Sequence, residues 1–169
     1  MLVYNVYRPS SREHKMTSTR SRSTSRMPLP RAGIEYVILA DAVEALNGKL
    51  YLMGGGWSTI STPDLSRPLG LAIACGVEVP WSETDDDHGV SLRIDDTDGN
   101  TIVPALTIQF KTGRPATLER GAVTHVPFAI RAEIQFPAAG EYVVIARVDD
   151  RSEGERRLSF FVKGQNVGT

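Results

Sequence analysis

Apolar and polar residues alternate along most of this chain with a period of two, the signature of half-buried β-strands. In 68–79, Leu69, Leu71, Ile73, Cys75, Val77 and Val79 share one face. Gly70, Ala72, Ala74, Gly76 and Glu78 share the other, a surface small enough to invite a second layer close to the backbone. The same rule points Val90, Leu92 and Ile94 inward, then Leu106, Ile108 and Phe110, then Phe128, Ile130, Ala132, Ile134 and Phe136. Two further strands follow, carrying Tyr142, Val144, Ala146 and Val148, and then Leu158, Phe160 and Val162. Eight or nine strands at even spacing, with no helical period, predict an antiparallel β-sandwich of immunoglobulin-like type. A jelly roll or closed barrel is the alternative. Strands with one polar face argue against a parallel sheet, whose strands are apolar throughout.

The stretch 34–60 departs from simple alternation. Residues 36–43 are almost wholly apolar, Asn47-Gly48 follows, and Gly54-Gly55-Gly56 leads into Trp57. Asn-Gly is a strong two-residue hairpin signal, because both central positions of a type I′ turn need positive φ. Counting outward from it pairs Leu46 with Lys49, Ala45 with Leu50, Glu44 with Tyr51 and Val43 with Leu52. Val37, Leu39, Val43, Leu50 and Leu52 then form one core-facing set. Asp41 falls opposite Gly54, and the free amides of Gly54, Gly55 and Gly56 are the expected partners of its carboxylate, unless a bulge turns it outward. Asp98-Gly99 is read as the positive-φ pair of another turn.

Length and charge divide the chain. Of 169 residues, 34–164 form one domain, large enough to bury a core without metals or disulfides. Residues 1–33 carry seven basic residues against Glu13 alone, a net charge of +6; residues 34–169 carry −7. The tract 17–26 is Ser/Thr/Arg only and has too little apolar surface to offset its ordering entropy, so 1–33 is expected to be disordered. Three readings of it stand: an over-long start, with Met16 or Met27 the initiator; a solvated tail; or a basic arm for anionic lipid or nucleic acid. An acidic folded part argues against nucleic acid as the domain's own partner. No apolar run reaches membrane-span length, and the single Cys75 fits a reducing, cytoplasmic compartment.

Candidate chemistry is sparse. Asp95-Asp96-Thr97-Asp98-Gly99-Asn100 suggests calcium, but its glycine comes too early for an EF-hand and the closing glutamate is missing. Asp86, Asp95 and Asp98 are the weak metal candidates, if the loop at Asp85, Asp86 and Asp87 lies near that turn. His88 and His125, the histidines of 34–164, lack the short ligand spacing of a zinc site. No Gly-x-Ser-x-Gly elbow occurs, and no helix follows the triple glycine to cradle a phosphate. No catalytic residue and no cofactor are expected. Tyr51, Trp57 and Trp81 are the candidate partner-binding residues, a patch if the tryptophans meet beside the small-residue face; core packing is their alternative.

The run Leu39-Ala-Asp-Ala-Val-x-x-x-Asn-Gly-Lys-Leu-Tyr-Leu-Met-Gly-Gly-Gly-Trp57 resembles a family of small bacterial proteins with no assigned function. So do Val79-Pro80-Trp81, Gly113-Arg114-Pro115, Val126-Pro127-Phe128-Ala129-Ile130 and Pro137-x-x-Gly140-x-Tyr142. The resemblance spans about 34–163. It implies a single cytoplasmic β-sandwich, no activity, and no counterpart to residues 1–33. The expected function is a non-enzymatic interaction or structural module that binds another protein or itself. A small-ligand or calcium-binding module is the alternative, and an enzyme of unrecognised type ranks last.

Overall fold

The structure is a computed structural model that describes residues 30–164. Its strands are β1 (Gly33–Ala40), β2 (Ala42–Leu46), β3 (Lys49–Met53), β4 (Thr59–Thr62), β5 (Leu69–Pro80), β6 (His88–Asp96), β7 (Thr101–Phe110), β8 (Val123–Ile134), β9 (Gly140–Val148) and β10 (Arg156–Gly164). One 3-10 turn, Trp81–Glu83, follows β5. A three-stranded sheet of order β1-β5-β8 faces a five-stranded sheet of order β4-β10-β9-β6-β7, and the β2–β3 hairpin forms a third layer. The fold is therefore the expected all-β sandwich, with no closed barrel. All pairings are antiparallel except β4 with β10, where a short edge strand runs parallel.

The core lies between the two large sheets. Leu71, Ile73, Cys75, Val77 and Val79 meet Val90, Leu92, Ile94, Val144, Ala146, Val148, Phe160 and Val162, as alternation requires. At one end Phe136, Tyr142 and Phe160 stack within 6.0 Å of one another. Here the Tyr142 hydroxyl donates to the Ala138 carbonyl at 2.7 Å, closing the turn before β9 as a tyrosine corner does.

The small outer face of β5 is covered, and by the hairpin. Asn47 and Gly48 take φ of 52° and 71°, the type I′ values, and the pairing from Leu46–Lys49 to Val43–Leu52 matches the count from the turn. The chain bends at Asp41, so the hairpin leaves the sandwich and folds back over its outside. Val43 is consequently buried in a second cluster with Ala72 and Ala74, joined by Tyr36, Ile38, Leu50 and Ala129. Burying such a valine contributes about 1.5–3 kcal/mol.

Four expectations need correction. Val43 and its neighbour across the hairpin Leu50 belong to this outer cluster and not to the face of Leu39. Leu52 is exposed, because it lies past the margin of the covered face and rests on Gly55. Leu106 pairs with Leu92 yet is exposed: edge strand β7 overhangs the narrower opposite sheet, and after two register shifts Ile102 and Val103 pack on the core instead. In the β6–β7 turn only Gly99 has positive φ, because the Asp96 side chain organises the loop by accepting from the amides of Asp98 and Asn100. Ala32, just ahead of β1, is buried and donates its amide to Glu83 at 2.7 Å. The expectations for residues 1–29 lie outside the described residues.

Candidate functional site

Among the described residues the hairpin is the element whose outward face is richest in large apolar side chains. Cross-strand partners share a face, so Val43, Ala45, Leu50 and Leu52 point toward the sheet and Glu44, Leu46, Lys49, Tyr51 and Met53 point away. Leu46, Tyr51 and Met53 are 51%, 53% and 69% exposed. Among the described residues β3 pairs with β2 alone, so its other edge has no strand partner there for its amides and carbonyls. The free side of β1 is blunted instead: Arg156 donates to the Ile34 carbonyl at 3.2 Å and Arg151 to that of Ala32 at 3.3 Å.

Three backbone and side-chain ties hold the hairpin in place. Asp41 donates its amide to Met53 at 3.1 Å, Gly56 donates to Leu39 at 2.8 Å, and the Arg131 guanidinium donates to the Val43 carbonyl at 3.1 Å. Asp41 and Gly54 do face one another. The carboxylate lies where a side chain on Gly54 would stand, and Gly54 has φ of 60°, so two constraints call for glycine there. The Asp41 residue is exposed and its carboxylate makes no hydrogen bond to the Gly54–Gly56 amides, Gly56 spending its N–H on the Leu39 carbonyl.

Of the other aromatic candidates, Tyr51 lies on the hairpin's outward face, and the tryptophans do not join it. Trp57 is half-buried against the core beside Leu39, which pairs with Ile73. Trp81 lies eight residues beyond Ile73, roughly 26 Å away along β5. There it stacks under Arg114, whose guanidinium carbon is 4.0 Å from the ring centre, with Arg120 at 5.5 Å. One tryptophan packs the core and the other is capped by arginines, so they make no common patch.

The acidic loops also separate. Asp86 precedes β6 and Asp98 follows it, and that nine-residue strand holds them roughly 26 Å apart. Asp95 is buried, paired with Arg93 at 3.1 Å and accepting from Thr101 at 3.1 Å. The proposed carboxylate cluster does not assemble. Burial pushes the Cys75 thiol up to about 12, so at neutral pH it is an inert thiol and not a nucleophile.

Two polar groupings were not legible from sequence. In the first, His88 is 3% exposed, with Nδ1 at 3.0 Å from Asp149 and Nε2 at 2.9 Å from the Glu83 carbonyl. Both partners are acceptors, so the ring is held as the imidazolium. Burial opposes that charge, but the bonds to Asp149 and Glu83 outweigh it and raise the pKa. Asp149 also accepts from the Gly89 amide and from Arg151, which leans toward Glu83. In the second, Glu35, Glu78 and His125 converge on the outer face of the three-stranded sheet, with ligand atoms within 4.8 Å of one another. Alternation alone turns Glu78 outward, but its pairing with His125 across 47 residues, and the β1 bulge beside Glu35, are tertiary facts.

Among the described residues no helix is long and apolar enough to cross a membrane. Among curated proteins, none matches this chain. A family model does: it covers residues 35–161, from the start of β1 into β10, and the chain belongs to that family of unknown function, DUF6941.

Proposed function

We propose that this protein is a non-enzymatic interaction module: a cytoplasmic bacterial β-sandwich that docks another protein, or a second copy of itself, through the β2–β3 hairpin. The observation that carries this reading is the unpaired edge of β3 beside exposed Leu46, Tyr51 and Met53. An open edge offers main-chain hydrogen bonds to an added strand, and alternate side chains give selectivity. Aromatic and methionine side chains are the types enriched at interfaces. The acidic-loop alternative has less support, since the two loops lie at opposite ends of β6. The enzyme alternative has the least support: the lone cysteine is buried as a thiol, and His88 is tied up by its two acceptors.

Light scattering of the full chain over a range of concentrations tests self-docking, alone and as the Tyr51→Lys/Met53→Lys double variant. Association lost in the variant supports a second copy. If the chain is monomeric, photo-crosslinkers at positions 51 and 53 should capture a protein in cells that one at Thr107 does not. Neither association nor position-specific crosslinking would sink the proposal.

A further inference from the structure

The outer face of the three-stranded sheet holds a donor set that the docking reading does not use. Glu78 on β5 and His125 on β8 are direct cross-strand partners. The β1–β5 ladder pairs Ile34 with Val77 and Tyr36 with Gly76, so Glu35 is the extra residue of a bulge. That bulge leaves both Glu35 and Tyr36 on the outside, Tyr36 over Gly76 and Glu35 beside the other two donors. Bulges re-aim side chains in this way, often beside functional sites. His125 Nδ1 is already 2.9 Å from Glu35 Oε2.

We propose that Glu35, Glu78 and His125 bind a divalent transition-metal ion of the zinc class. Ligands about 2.1 Å from a tetrahedral ion lie about 3.4 Å apart. From a spread of 4.8 Å at most, small rotations of two glutamate side chains close the shell without moving the strands. One imidazole with two carboxylates suits zinc better than magnesium or calcium, which prefer all-oxygen shells. The ion also neutralises two carboxylates that otherwise share one histidine. Three protein ligands leave a coordination position open. His125 and Glu35 border a groove of ≈ 200 Å³ lined by Tyr36, Leu50, Gly76 and Val126, so a water or a small anionic ligand on the metal sits at that groove's mouth. Its three donors lie on β1, β5 and β8 and none on β3, so failure of the site leaves the docking proposal standing.

The test is calorimetric titration of zinc chloride into the chelator-treated full chain, beside His125→Gln, Glu78→Gln and Asp98→Asn variants. One ion per chain is expected, weakened roughly tenfold or more by each of the first two changes and unaltered by the third. A cobalt titration should give a visible absorption band that His125→Gln abolishes. Both ligand positions are exposed, and thermal melts of the variants should match the parent. Absence of saturable zinc binding, binding that survives either ligand change, or calcium bound as tightly as zinc would each overturn the proposal.

Discussion

Changing Asp149 to asparagine should make the stability of this domain lose much of its pH dependence near neutrality. Asp149 stands at φ 54°, which asparagine tolerates, so the substitution removes charge and not conformation. The carboxylate accepts from His88 at 3.0 Å, from the Gly89 amide at 2.8 Å and from Arg151 at 2.7 Å. Hydrogen bonds to charged groups contribute about 1.5–3 kcal/mol each, but the amide retains part of every one. A net loss of about 2 kcal/mol near pH 6 follows, or roughly 8 °C in Tm for a domain of this size.

The direction of the pH effect comes from two opposed shifts. His88 has a raised pKa, so its contribution is complete below the unfolded value of about 6.5 and is lost as pH rises through the folded value. Burial opposes the charge on Asp149, but the bonds from His88 and Gly89, with Arg151 beside it, hold the carboxyl below its ordinary range. That contribution is complete above about pH 4 and is lost as pH falls through the lowered value. The pair is at full strength between about pH 4 and 6.5. Denaturant unfolding of parent and Asp149→Asn at pH 5, 7 and 9 should show their difference largest at pH 5 and smallest at pH 9. Subtraction removes the titration of exposed His125, which both proteins share. A difference that stays constant from pH 5 to 9 would refute the imidazolium assignment.

Two further changes probe the fold. A side chain at Gly76 would overlap the Tyr36 ring that lies across it, so Gly76→Ala should cost about 1–3 kcal/mol, and Tyr36→Leu in the same chain should recover part of that loss. Unfolding midpoints of the single and double variants measure the coupling, and simple additivity would show that the ring does not depend on that glycine. Tyr142→Phe should cost about 1 kcal/mol with an unchanged denaturant slope, because the Ala138 carbonyl it releases is exposed and can turn to water.

What sequence made legible here was local. Period-two alternation placed the inward residues of β5, β6, β8, β9 and β10, and Asn47-Gly48 set the hairpin register, because both depend on neighbours two to ten positions away. The direction in which the hairpin folds was not local. Treating 36–43 as one continuous strand put Val43 beside Leu39, whereas the bend at Asp41 carries it to the opposite side of the sheet. The small face of β5 was the correct clue that something would cover it. His88 with Asp149 and Glu78 with His125 are separated by 61 and 47 residues, and only strand order brings them together. The acidic loops failed as a site for the complementary reason: they are adjacent in sequence but are held apart by the length of the strand between them.

The outer residues of β5 connect both functional proposals. From Ala72 to Gly76 they are small, so the hairpin and Tyr36 can lie directly on the backbone; at Glu78 the surface turns polar, just where the hairpin tip at Gly48 ends and the groove beside His125 opens. The edge proposed for docking is therefore not a dangling loop. It is clamped through Asp41, Gly56 and Arg131 and anchored by Val43, and a clamped edge loses little conformational entropy on receiving a partner. An exposed apolar strand held this rigidly adds nothing to the stability of the sandwich it covers on that outward side. Exposed Leu46, Tyr51 and Met53 on that side are the ground on which the docking proposal rests.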